Sequence, residues 1–115
     1  MQCTYLPRQK RRTPWGVANE ATRFAPGIVF YSTPSHGGFH LSEHRQAYVE
    51  SILPEFETFA KGPWYEEDCD ACLVVVVWPE YFEPEAVQRA RRQVEFMAKT
   101  RPWWAAVVRW LESKG

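Results

Sequence analysis

A Pro-Gly pair at Pro26-Gly27 restricts this chain more than any other feature, because it separates two β-prone runs, Val17 to Ala25 and Ile28 to Thr33. A turn pair between two such runs reverses the chain, so the runs form an antiparallel hairpin. The second run is nearly all apolar, which predicts a central strand covered by helices on at least one face. Thr13-Pro14-Trp15-Gly16 reads as the turn that opens the ordered structure. Ser35 to Gly38 reads as a glycine-containing loop whose paired glycines suit positive φ, and Phe39 to Leu41 as a short third strand.

Helical signals follow. Ser42 is an N-cap residue with Glu43 in the first turn, and Tyr48, Val49, Ile52 and Leu53 line one side of a helix that Pro54 ends. Residues 54 to 64 read as a connection with a turn of helix around Phe56 and Phe59. Tyr65 to Trp78 is contested: the valines from Val74 to Val77 favour a strand, while Glu66, Glu67, Asp68 and Asp70 suit the positive end of a helix dipole. Helix is the expectation there. Pro84 begins a helix to about residue 99 with Val87, Ala90, Val94 and Met97 at helical spacing. Pro102 breaks it, and Trp103 to Ser113 forms a last amphipathic helix with Trp103, Ala106, Val107, Trp110 and Leu111 on one face. The expected fold is α+β: a small antiparallel sheet, a hairpin plus a short third strand, packed by three or four helices.

A length of 115 residues suits one domain. Residues 1–12 read as a basic flexible tail and 13–115 as a single α+β domain. The 14 basic and 14 acidic side chains cancel, which argues against a generally basic nucleic-acid binder or an acidic mimic of DNA. Arg8, Lys10, Arg11 and Arg12 in the tail are the weak candidates for a nucleic-acid contact. No apolar run approaches the roughly 20 residues of a membrane span, and no apolar stretch of a secretory leader opens the chain. With Cys3, Cys69 and Cys72 unsuited to a disulfide framework, a cytoplasmic protein without membrane contact is expected.

Ser35-His36-Gly37-Gly38-Phe39-His40 brings two imidazoles and a hydroxyl near paired glycines. Glu66, Glu67 and Asp68 beside this loop could supply a general acid and base, with Ser35 as a nucleophile; the enzyme reading draws on His36, His40, Glu67 and Asp68. Cys69-Asp70-Ala71-Cys72 has the ligand spacing of half a zinc site, but a second cysteine pair is missing. Nearby carboxylates raise a thiol pKa, which disfavours redox chemistry as well. No phosphate loop, zinc-protease, hydrolase or dinucleotide signature is present. Neither a metal nor a cofactor is expected. Aromatic residues reach 16% with six Trp, more than a core of this size is expected to bury, so some should mark a contact surface.

Thr13-Pro14-Trp15-Gly16, the run Ala25 to Ser42 and the stretch Trp64-Tyr65-Glu66-Glu67-Asp68-Cys69-Asp70 together resemble a domain-of-unknown-function family of plasmid, phage and other mobile-element proteins. The likeness covers about residues 13 to 82. It implies a shared fold and no known reaction. In that family the segment after the acidic signature is Ala-rich, which supports a helix here and puts Cys72 outside the pattern. Small size, the lack of a catalytic signature, surplus aromatic and arginine side chains and this resemblance together lead to the expectation of a mobile-element accessory protein that binds a host protein or ribonucleoprotein complex, such as an anti-CRISPR-like counter-defence inhibitor. Arg89, Arg91, Arg92, Trp103, Trp104 and Trp110 are the expected partner contacts, since Arg and Trp anchor interfaces. The alternatives are a small hydrolase or nuclease-like enzyme, and a nucleic-acid-binding accessory protein.

Overall fold

In the computed structural model, which describes residues 4–6, 11–55 and 62–114, Pro26-Gly27 joins β4 (Glu20–Ala25) to β5 (Ile28–Ser32). Gly27 takes a φ of +86° there, and a Cβ at this position would lie 2.6 Å from Ser42 Oγ. Both backbone shape and space therefore require glycine. The other elements are β1 (Thr4–Leu6), β2 (Arg12–Thr13), β3 (Gly16–Val17), β6 (Gly37–Leu41), α1 (Glu43–Ile52), β7 (Trp64–Glu66), α2 (Ala71–Val77), α3 (Pro84–Ala98) and α4 (Pro102–Lys114). A single 3₁₀ turn, Pro79–Tyr81, links α2 to α3.

The main sheet is antiparallel in the order β1-β4-β5-β6-β7, and β2 and β3 form a separate two-stranded ribbon. The α+β class stands, with β5 central as its apolar sequence requires. The sheet is wider than a hairpin plus one strand because β1 and β7 extend its two sides. β1 and the start of β2 lie within the stretch read as a tail. Arg8 and Lys10 lie outside the described residues, as do Cys3, Phe56 and Phe59.

Register sorts the sheet into two faces. Thr22, Phe30, Phe39 and Tyr65 stand opposite one another across β4 to β7, as do Arg23, Val29, His40 and Trp64 in the next row. Successive residues of a strand face opposite ways. The first row points to the helices, where Phe39 and Tyr65 join the main core. On the other face Ala18, Ala21 and Tyr31 form a smaller cluster with Val29 and Trp64.

Residues 65–78 are not one helix. Tyr65 and Glu66 complete β7, residues 67–70 turn, and only Ala71–Val77 are helical. The Cys69 and Asp70 N–H groups both donate to the Glu66 carbonyl, which turns the strand into the helix. No acid therefore lies in the first turn of α2. Every residue of α2 is buried, between the sheet and α3. Burying a valine side chain contributes about 1.5 kcal/mol or more, whereas its helix propensity costs about 0.7 kcal/mol or less. Burial wins, and a valine run becomes a central helix. α1 begins as expected, with the Ser42 hydroxyl accepting the Arg45 N–H at 3.2 Å. Among the described residues no helix is long and apolar enough to cross a membrane.

Candidate functional site

Thr33 organises the loop after β5. Its Oγ1 accepts the His36 N–H at 3.1 Å and the Ser35 N–H at 3.3 Å, and it donates to the His36 carbonyl at 2.6 Å. Ser35 Oγ donates to the Trp15 carbonyl at 3.3 Å, which ties the loop to the β2–β3 turn. That bond engages the proton a serine nucleophile would have to surrender.

The paired glycines are strand residues of β6 rather than a loop with positive φ; the described glycines with positive φ are Gly16, Gly27 and Gly62. They are needed for space. A Cβ on Gly38 would overlap the Trp15 ring and the Tyr65 carbonyl, and one on Gly37 would lie 2.7 Å from the Tyr31 carbonyl oxygen. Close approach lets β7 dock on β6, with Gly38 opposite Glu66 and the Glu67 N–H donating to the Gly37 carbonyl at 2.9 Å.

This docking brings the histidine loop against the acidic stretch. His36 Nδ1 lies 3.5 Å from Glu66 Oε2, with the imidazole 50% exposed and the Glu66 side chain only 9%. Glu66 Oε1 accepts the Asp68 N–H at 3.0 Å. One nitrogen or oxygen ligand atom from each of His36, Glu66 and Asp68 lies within 4.8 Å of the others. Chemically, the group offers an imidazole for proton transfer and three donors for a cation. Of the four residues expected to work together, His36 and Asp68 meet; Glu66 is the acid beside them, and Glu67 is not one of the three. Glu66 belongs to the acidic run that the sequence places beside the histidine loop, and its position in β7 rather than in a helix sets it next to His36.

His40 sits elsewhere. It packs on Trp64, with ring centroids 4.5 Å apart, on the sheet face away from the core helices. Arg11 lies over the same group, its guanidinium carbon 5.5 Å from the Tyr31 centroid and 5.5 Å from the Trp64 centroid. Its Nη2 reaches His40 Nε2 at 3.4 Å, a long contact that only a neutral imidazole can accept. Burial first, and the Arg11 charge second, lower the His40 pKa below its ordinary value. An imidazole with a depressed folded pKa contributes stability that is full above the ordinary value, about 6.5, and is lost as pH falls through the folded one. Melting temperature should therefore drop as pH falls from about 7 to about 5, and His40→Gln should flatten part of that slope. An unchanged slope in the variant would show that His40 is not responsible.

The cysteines are poor nucleophiles. Cys69 is half-buried and its pKa is raised by burial, then by Glu66 and Asp70. Cys72 is buried, and burial followed by Asp70 pushes its thiol up to about 12.

The expected partner contacts divide. Trp104 is 1% exposed and belongs to the core with Val107, so it is a packing residue rather than a surface anchor. Trp103 and Trp110 are half-buried, Trp110 lining an open groove of about 370 Å³ between the end of α1 and α4. Arg89, Arg91 and Arg92 are exposed on α3. Arg91 lines a shallow pocket between α3 and α4 with Glu95, Val108, Leu111 and Glu112. Arg89, Arg92, Phe96 and Lys99, three or four residues apart, form one outward stripe. Phe96 is 69% exposed, an unusual position for a large apolar ring, and its signal in the sequence is that it falls off the Ala90-Val94-Met97 face.

A family model described as Domain of unknown function (DUF7007) matches residues 8–113. The match runs past residue 82, so α3 and α4 belong to the shared domain. No curated protein and no solved structure matches the chain.

Proposed function

The chain belongs to the DUF7007 family, and from its surface chemistry we propose that it works by binding a protein partner through the outward stripe of α3. The observation that carries this reading is Phe96, 69% exposed between Arg92 and Lys99. Leaving a phenyl ring in water forgoes a favourable burial that docking would recover. The cations around it select an acidic surface, and arginine supplies planar, bidentate pairing to carboxylates there. A domain this small, similar in its signatures to mobile-element proteins, fits an accessory role: counter-defence inhibition of a host protein or ribonucleoprotein complex in the cytoplasm, in the manner of an anti-CRISPR.

A hydrolase or nuclease-like enzyme built on His36 is the second reading, favoured by the 3.5 Å approach of its Nδ1 to Glu66. One experiment separates the two. Tagged protein should capture a host partner from lysate, and Arg92→Glu and Phe96→Ala should each weaken that complex by about 2 kcal/mol, roughly thirtyfold in Kd. His36→Ala should leave it intact. Capture that survives both α3 substitutions but is lost with His36→Ala would defeat the α3 reading.

A further inference from the structure

We propose that His36, Glu66 and Asp68 hold a divalent metal ion where β6 and β7 meet. The three side chains offer one imidazole nitrogen and two carboxylate oxygens, already within 4.8 Å of one another. A bound ion would draw each ligand atom to about 2.0–2.2 Å. His36 and Asp68 are exposed and free to make that adjustment, while Glu66 is held by the sheet. A nitrogen and oxygen set without thiolate suits manganese and zinc among the common ions.

Glu66 is the residue that calls for a cation. It is 7% exposed, and a carboxylate removed from water needs a compensating positive charge or a full set of hydrogen bonds. Its Oε1 accepts the Asp68 N–H at 3.0 Å. Oε2 faces His36 Nδ1 at 3.5 Å, longer than an ordinary N–H···O bond. Among the described residues no lysine or arginine pairs with Glu66. The frame around the three donors is set beforehand: Thr33 and the Trp15 carbonyl fix the His36 loop, and the Gly38 to Glu66 register fixes the acid. Preset ligand positions reduce the ordering that metal binding must otherwise impose.

The test uses the full-length, chelator-treated protein titrated with manganese chloride and followed by the electron paramagnetic resonance signal of free Mn²⁺. Manganese is chosen because it disfavours thiols, so Cys69 and Cys72 do not compete. Expected is one Mn²⁺ per chain, with affinity reduced about tenfold or more by His36→Gln and by Asp68→Asn. Both positions are exposed, so both variants should fold. Arg92→Glu should bind Mn²⁺ as the parent does. Failure of the parent to take up Mn²⁺, or uptake that survives both ligand substitutions, would overturn the proposal. Either result would leave the α3 reading standing if Arg92→Glu still weakens the protein complex.

Discussion

Trp104→Ala is expected to destabilise the domain by about 4 kcal/mol, since emptying a buried tryptophan site removes its transfer energy and leaves a cavity. Trp104 is 1% exposed in a core shared with Val94 and Val107. Total stabilities of domains lie at about 5–15 kcal/mol, so the variant should retain only a small margin. Urea denaturation should show a much lower midpoint with an unchanged slope, and the melting temperature should fall by on the order of 15 °C. Trp110→Ala, at a half-buried position under Lys114, should cost clearly less. Equal losses for the two tryptophans would contradict the packing of α4.

Gly38→Ala is the second large effect, and it links the fold to the candidate site. The added methyl group would overlap the Tyr65 backbone carbonyl on one side and the Trp15 ring on the other. A side chain can rotate away, but a carbonyl within a strand ladder moves only with its strand. Overpacking a tight site costs about 1–3 kcal/mol, and here the upper end is expected because β7 must shift. Glu66 lies directly opposite Gly38, so the shift would also pull it from His36. Chemical denaturation should report the lost stability, and the His36 ring resonances in NMR spectra should move with it. A variant as stable as the parent, with His36 undisturbed, would mean that β6 and β7 are not held this closely.

Much of the architecture was legible because the chain marks its own boundaries. Pro26-Gly27 set the hairpin, Ser42 the start of α1, and Pro84 and Pro102 the starts of α3 and α4. Each is a local constraint of backbone geometry or hydrogen bonding, and neighbours distant in sequence do not alter it. The candidate site was half legible. Its two segments stand out in the sequence, and His36, Glu66 and Asp68 all lie in them. Of the three acids beside the histidine loop the enzyme reading keeps Glu67 rather than Glu66, because Trp64-Tyr65-Glu66 is too short for its period of two to be told from a helical one.

The surface was harder to read than the frame. Trp104 counts as surplus in the sequence because six tryptophans are more than a core of this size is expected to bury. The sheet has five strands, α2 lies buried against it with α3 behind, and Trp104 joins that core. Phe96 was concealed for the opposite reason, as an apolar residue that ordinarily counts toward a core. By itself, then, the sequence determined the turns, caps and helix starts, and the two polar segments that carry His36 and Glu66. Tertiary structure decided which aromatic rings are buried, why Gly38 must be glycine, and which acid meets His36. Those outcomes depend on how closely strands far apart in sequence can approach, a distance set by packing across the sheet.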